Sequence, residues 1–131
     1  MASVHREIVI GRPPAAVWDA LADVGALHTR LVPGFVTDCR LESGARVVTF
    51  ANGMVARELI VDVDRERRRV AWAVVGGRLS HHNASAQVFD APDGGARLVW
   101  IADFLPDEHA ASVTTMIEHG LAAMKRHLDI G

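Results

Sequence analysis

The sequence predicts an α+β fold in which a curved antiparallel sheet of seven strands surrounds one long C-terminal helix, with two short helices after the first strand. Three observations predict it: β-branched stretches alternate with turn signals through the middle of the chain, a Pro-Pro pair follows the first of these stretches, and an uninterrupted amphipathic stretch ends the chain. The chain has 131 residues, half of them hydrophobic, enough for one core and too few for two ordinary domains. We therefore expect a single domain over residues 1–131.

The first strand is predicted over residues 3–10, where a β-branched run ends at Gly11. Pro14 suits the first turn of a helix that extends to residue 21, and Asp23 can cap a second short helix that extends to residue 31. Turn signals then separate six further strands, predicted over residues 35–42, 46–50, 54–63, 69–75, 79–90 and 97–105.

The long helix is predicted to follow Pro106, because the acidic Asp107 and Glu108 favour a helix N-terminus, and to run to Ile130. About 24 residues at 1.5 Å each give a length of about 36 Å. Its apolar side chains fall on one stripe, formed by Val113, Met116, Ile117, Leu121, Met124 and Leu128. One helix rarely fills the hollow of a bent sheet, and small inward residues would leave space there; they are Ala56, Ala84, Ala86 and Gly120.

The register of the last hairpin is predicted from Asp93-Gly94, which is typical of a two-residue type I′ turn because both residues tolerate positive φ. Such a turn places Ala84 opposite Asp103 and points the Asp103 carboxylate inward, with Ile101 on the same face. His82 then lies diagonally beside Asp103, so that an imidazole and a carboxylate meet at one end of the cavity.

A shift of this register by one residue would reverse every side chain of the hairpin, with Leu98 and Trp100 inside and Asp103 in solvent. We favour the first register, since the turn chemistry and the resemblance described below agree on it. Trp100 then lies outside, where it would mark a contact in a homodimer.

Glu58 has two interpretations. A two-residue turn at Asn52-Gly53 pairs Val47 with Glu58, so that Glu58 shares a face with Met54 and Ile60. A buried carboxylate needs a partner, so Glu58 is either a polar anchor or base at the edge of a pocket, or an outward strand residue balanced by neighbouring arginines.

The histidines do not form a metal site by their spacing. His81 and His82 are adjacent, and adjacent residues of a strand point to opposite faces, so they cannot bind one metal together. His28 in the second short helix either reaches the cavity mouth or lies on the surface. The histidines of the long helix lack the i, i+4 spacing of paired ligands and are expected in solvent; they are His109, His119 and His127.

Composition excludes several other functions. The net charge is only −2, and the chain has no basic stripe of the kind that nucleic acid requires. No apolar stretch approaches the length of a membrane span and no signal segment is recognisable, which indicates a cytoplasmic protein. The one cysteine, Cys39, is expected in the core. With no phosphate-binding loop, nucleophile elbow or metal-ligand cluster, no cofactor is expected.

Several motifs resemble those of one superfamily. The stretch Pro-Pro-Ala-Ala-Val-Trp-Asp-Ala-Leu after the first strand, the helix-grip order of elements, and the closing Val-Trp-Ile-Ala-Asp-Phe-Leu-Pro are similar to the SRPBCC superfamily, which includes START-type lipid carriers, polyketide cyclases and the birch-pollen-allergen fold. The middle of the chain resembles the branch with the plant abscisic-acid receptors, through Asn52-Gly53, Arg57-Glu58-Leu59, Val74-Val75-Gly76-Gly77 and Asn83-Ala84-Ser85.

The resemblance implies an apolar or amphipathic ligand between sheet and helix, behind two mobile loops at residues 51–56 and 76–81. It also implies that Glu58 is the inward glutamate of the receptors. Their hormone-binding lysine falls on Thr37, and their latch falls on Leu79-Ser80-His81. Recognition of abscisic acid or of a phosphatase partner is therefore not implied.

We predict a non-catalytic protein that binds or carries a small hydrophobic metabolite, with Glu58, His82 and Asp103 fixing its orientation. The alternative is a polyketide aromatase/cyclase or dehydratase, in which one of these three residues moves a proton. A third hypothesis is an interaction module anchored by Trp100. The predicted ligand contacts are Thr37, Met54, Glu58, Trp72, His82, Ala84, Ile101, Asp103, Met116, Gly120 and Met124.

Overall fold

The structure is a computed structural model that describes residues 2–130 and the side chains of residues 2–129. The strands within this range are β1 (Ala2–Ile10), β2 (Val36–Glu42), β3 (Ala45–Phe50), β4 (Val55–Asp64), β5 (Arg69–Val75), β6 (His81–Asp90) and β7 (Ala96–Leu105). The helices are α1 (Pro14–Ala22) and α2 (Ala110–Ile130), and short helical turns lie at Leu27–Leu31, Pro92–Gly94 and Asp107–His109.

The seven strands form one antiparallel sheet in the order β1-β7-β6-β5-β4-β3-β2. The sheet curves around α2, so the predicted fold class is confirmed. The core lies between the concave face and the helices, where Ile10, Val17, Val48, Leu98 and Ile117 are completely buried.

The second short helix differs from the prediction. The Asp23 carboxylate does not cap a helix but accepts a hydrogen bond from Arg30 Nη1 at 3.1 Å, and helical geometry, of the wide π type, begins only at Leu27. Gly25 lies in the intervening turn, where a Cβ would come within 2.7 Å of Leu41 Cγ. The segment before Leu27 therefore packs closely on β2 instead of continuing α1.

The register predicted for the β6–β7 hairpin is wrong by one residue. Ala84 pairs with Ala102 and Ala86 with Trp100, so Trp100 faces inward. The reason is Pro92: it has no N–H with which to close the two-residue turn, and the N–H of Ala91 instead donates to the carbonyl of Gly95 at 2.9 Å. Asp93 and Gly94 do adopt the positive φ expected of them, but the loop has three residues.

The register predicted for the β3–β4 hairpin is wrong in the same way. Arg46, not Val47, pairs with Glu58. The Gly53 N–H donates to the Phe50 carbonyl at 2.9 Å, and Gly53 takes a left-handed φ of 88°, which makes a three-residue loop of a type I turn and a bulge. Arg46 therefore points into the interior beside Glu58.

The close approach of α2 to the sheet depends on Gly120, which lies against the inward Trp100. A Cβ at Gly120 would come within 2.8 Å of Trp100 Cζ3 and 3.2 Å of Phe35 Cε2. The helix therefore packs on two aromatic rings at the one position of its inner face that has no side chain.

We expect Gly120→Leu to lower the free energy of unfolding by up to about 2 kcal/mol. Displacing both rings costs about 1–3 kcal/mol, and replacing a helical glycine offsets roughly 1 kcal/mol of this cost. Urea denaturation measures it. The control is Ala122→Leu on the exposed side of α2, which should change the stability by no more than about 0.5 kcal/mol. Equal stabilities of the two variants would contradict the prediction.

Candidate functional site

A cavity of about 500 Å³ lies between the concave face of the sheet and α2. Its size falls within the range of pockets that enclose small molecules. Most of its wall is apolar and comes from α1, the π-helical turn, the sheet and α2; this part includes Leu21, Leu27, Leu31, Val32, Val36, Val48, Trp72, Val74, Ala86, Trp100, Val113, Met116 and Met124.

The rim of the cavity is formed by two loops. Asn52 and the half-exposed Met54 lie in and after the β3–β4 loop, and Gly76, Gly77 and Arg78 lie in the β5–β6 loop. The glycines at 76 and 77 both adopt positive φ, which lets the second loop turn sharply beside the rim. These are the two segments that the sequence resemblance indicated.

The main polar feature of the wall is an ion pair between Arg46 on β3 and Glu58 on β4. Arg46 Nε donates to Glu58 Oε1 at 2.8 Å, and the two residues are only 3% and 7% exposed. Arg46 Nη1 also donates to the Val24 carbonyl at 3.2 Å, and its guanidinium lies 5.3 Å from the ring centroid of Trp72. Both charges therefore lie within a mainly apolar wall, and three contacts hold the guanidinium of Arg46 in place.

Burial raises the pKa of Glu58 above the ordinary glutamate value, while the charge and hydrogen bond of Arg46 act in the opposite direction. The raised pKa means that the cavity disfavours the glutamate anion even with its partner in place. Since one carboxylate oxygen is committed to Arg46, the arrangement suits an anchor that orients a ligand better than a free general base.

His82 on β6 also faces the cavity, and its ring meets Phe104 edge-on at 6.1 Å between centroids. Burial lowers the pKa of His82, and the neighbouring His81 lowers it further, so the imidazole is neutral at pH 7. Within residues 2–129 it makes no hydrogen bond, which leaves both ring nitrogens available to a ligand.

Asp103 does not join His82, contrary to the prediction. It lies on the outer face of the sheet, where its carboxylate accepts hydrogen bonds from Ser3 Oγ at 2.6 Å and from Asn83 Nδ2 at 3.3 Å. The reason is the one-residue difference in register at the β6–β7 hairpin, which turns the side chains of β7 to the opposite face, whereas the β6 side chains, including His82, keep the face predicted for them. The same difference moves Trp100 inside, and the predicted homodimer contact at Trp100 loses its basis.

The other predicted contact residues divide into three groups. Met54, Trp72, Met116 and Met124 line the cavity. Ala84 is buried in the core beside the cavity, and Gly120 is buried where α2 packs on the sheet. Thr37 and Ile101 lie outside it. Thr37 is exposed on β2, where its hydroxyl donates a hydrogen bond to the Thr49 carbonyl at 3.3 Å. Ile101 points to the outer face of the sheet because of the observed register of β7.

Sequence reasoning missed several polar residues of the wall, namely Arg46, Ser112, His109 and His119. Both histidines were expected in solvent; His119 is indeed exposed, although it borders the cavity, whereas His109 is half-buried. The available signal for Arg46 was the pairing across the β3–β4 hairpin with a three-residue loop. His28 is not part of the wall, and its Nδ1 is fully buried without a hydrogen bond to the described residues.

Among the residues that the structure describes, no group of three or more metal-binding side chains is close enough to hold an ion. No helix in this part of the chain is long and apolar enough to cross a membrane.

Among known protein families, a family model described as polyketide cyclase / dehydrase and lipid transport matches residues 1–129 of the chain. No curated protein sequence matches the chain.

Solved structures share the fold over nearly the whole chain. XoxI from Bacillus cereus is 18% identical with a TM-score of 0.88, covering 99% of this chain and 98% of its own. A protein from Thermobifida fusca is 24% identical with a TM-score of 0.78, covering 98% and 91%. The di-domain ARO/CYC BexL from the BE-7585A biosynthetic pathway is 17% identical with a TM-score of 0.85, and the match covers 98% of this chain and 47% of that protein. At these identities the likeness shows the fold alone.

We expect Arg46→Met to lower the free energy of unfolding by about 3–5 kcal/mol at pH 8, because it leaves Glu58 buried without its partner. The loss should shrink toward pH 5. Arg46 opposes the rise in the folded pKa of Glu58, so its removal raises that pKa further. Above the ordinary value of 4.5, the folded variant therefore holds the Glu58 proton to higher pH than the wild-type protein does, and the stability of the variant falls further as pH rises. Urea denaturation at pH 5 and pH 8 measures both effects.

The control for this prediction is the double variant Arg46→Met/Glu58→Gln, which removes both charges. It should be more stable than Arg46→Met at pH 8, and its difference from the wild-type protein should depend less on pH. A pH dependence equal to that of Arg46→Met would show that another group titrates.

Proposed function

Because the chain belongs to the family described as polyketide cyclase / dehydrase and lipid transport, within the SRPBCC superfamily that its motifs resemble, we propose that it binds and carries a small hydrophobic or amphipathic metabolite in the cavity between the sheet and α2. The family supports a ligand-binding or cyclase-type function. The observation that carries the more specific proposal is the mainly apolar cavity of about 500 Å³ with few polar groups on its wall.

The wall supports binding through apolar contact. Trp72 and Trp100 meet edge-on at 6.0 Å between centroids and present their faces and edges to the interior. Met116 and Met124 on α2 are flexible and polarisable, so this side of the cavity can adapt to the outline of a ligand. Each Å² of apolar ligand surface removed from water contributes about 25 cal/mol, so affinity follows mainly from shape and size.

We expect the neutral dye N-phenyl-1-naphthylamine to bind with an increase in its fluorescence and quenching of the wall tryptophans. Val74→Trp should weaken this binding at least about tenfold, or 1.4 kcal/mol, because a larger side chain at Val74 fills the cavity. The matched control is Val61→Trp on the same sheet, since Val61 is 65% exposed and does not line the cavity.

Equal affinities of Val74→Trp, Val61→Trp and the wild-type protein would mean that the dye binds elsewhere. Thermal unfolding of both variants ensures that the comparison is made between folded proteins.

His82 favours a second candidate function, an aromatase/cyclase- or dehydratase-type enzyme. Of the three predicted acid–base residues, Asp103 lies outside and Glu58 is committed to Arg46, whereas His82 is neutral, half-buried and directed at the cavity. A neutral imidazole can remove a proton from the acidic carbon between two carbonyl groups, which is the first step of an aldol cyclisation.

If the protein is such an enzyme, His82→Gln should lower the turnover of a poly-β-carbonyl substrate analogue at least about 100-fold and leave dye binding unchanged. In the wild-type protein the rate should be constant above the ordinary histidine pKa and fall at lower pH, because burial lowers the pKa of His82 and only the neutral ring acts as a base. Chromatographic product analysis checks this. Absence of turnover in the wild-type protein would leave binding and carriage as the function.

A further inference from the structure

The Arg46–Glu58 pair leaves polar atoms unused on the side of the cavity. Arg46 uses Nε for Glu58 and Nη1 for the Val24 carbonyl, and within residues 2–129 its Nη2 makes no hydrogen bond. Glu58 likewise uses Oε1 only. Neither of these two unpaired atoms, Arg46 Nη2 and Glu58 Oε2, is fully enclosed by the protein. Both residues line the cavity. One cationic N–H edge and one carboxylate oxygen are therefore within reach of a ligand.

The charges around the cavity favour an acidic ligand. Glu58 is the one carboxylate among the residues that line it in the described part of the chain, whereas two guanidinium groups do so, those of Arg46 and Arg78. Arg78 lies exposed on the rim and makes no ion pair with residues 2–129. An anionic group that enters this cavity meets an excess of positive charge and a free, preoriented guanidinium edge.

We propose that the ligand carries one acidic group, a carboxylate or an enolate, that binds the Nη2 edge of Arg46, and that Glu58 takes up a proton when this ligand binds. The inference rests on the proposed binding function and adds the chemical class of the ligand. Arg78 lies on the exposed rim, so at the buried pair two carboxylates would share the single guanidinium of Arg46. Protonation of Glu58 removes the surplus negative charge that this would leave in the wall. The overall event is protein plus ligand anion plus one proton giving the complex.

Glu58 is suited to take up this proton, because burial already raises its pKa, and the anionic ligand both adds negative charge and competes for Arg46. Other titratable or charged groups face the same space, and the experiment must distinguish their protonation from that of Glu58. They are His82 on β6, Arg78 in the β5–β6 loop, His109 in the helical turn before α2, and His119 on α2. The thiol of Cys39 on β2 also lies near enough to interact with both members of the pair. Among these, the imidazoles compete with Glu58 for the proton, and His82 is the most buried of the three.

The test compares 1-naphthaleneacetic acid, which is ionised at pH 7, with its neutral amide, 1-naphthaleneacetamide, by isothermal titration calorimetry in buffers of different ionisation enthalpy. We expect the acid to bind at least tenfold more tightly than the amide, with uptake of about one proton, and its affinity to fall by up to about tenfold per pH unit above pH 7. Proton uptake should persist in His82→Gln and disappear in Glu58→Gln.

Uptake that disappears in His82→Gln and persists in Glu58→Gln would overturn the proposal, as would equal binding of acid and amide without proton uptake. In the latter case the proposed binding function would stand, whereas failure of both probes and of the neutral dye to bind would contradict that function itself. If Glu58→Gln does not fold, difference infrared spectroscopy of the wild-type protein decides the matter: the acid should produce the carbonyl band of a protonated side-chain carboxyl, and its absence would overturn the proposal.

Discussion

The lengths of two hairpin loops determine which side chains line the cavity. Because side chains alternate along a strand, the three-residue loops at residues 51–53 and 92–94 direct Arg46, Glu58 and Trp100 inward together. Each loop is fixed by local hydrogen bonds, at Phe50 and Gly53 in one case and around Pro92 in the other. The ion pair, the aromatic wall and the outward position of Asp103 all follow from these bonds.

A buried ion pair of this kind adds little to the stability of the fold. Bringing two charges out of water opposes folding, and replacing such a pair with apolar side chains of similar volume is often neutral or stabilising. Removing one partner is nevertheless damaging, since the other charge remains buried. An ion pair that lines an open cavity and retains a free donor and a free acceptor is better explained by ligand recognition than by stability.

The elements of the fold could be predicted from the sequence, but the composition of the site could not. Strands and α2 follow from local signals, such as β-branched runs, glycine turns and the stripe from Val113 to Leu128. The register depends on one hydrogen bond per hairpin, and Asn-Gly and Asp-Gly pairs suit loops of two or of three residues. The missing N–H of Pro92 was a signal in the sequence that favoured the longer loop. For Arg46 the signal was the three-residue loop at residues 51–53 alone, because the residues around Arg46 do not show that Glu58 will meet it in the core.

The two candidate functions use the same anchor and differ at one residue. A carrier requires affinity, which the apolar wall supplies, and a fixed orientation, which the ion pair supplies. An enzyme requires these and also a base within hydrogen-bond reach of the oriented substrate. Arg46 holds one oxygen of the Glu58 carboxylate, whereas His82 makes no hydrogen bond to residues 2–129, so His82 is the better candidate for a base that acts on a substrate. Under both proposals the ion pair would select the ligand, and only under the enzyme proposal would His82 act on it.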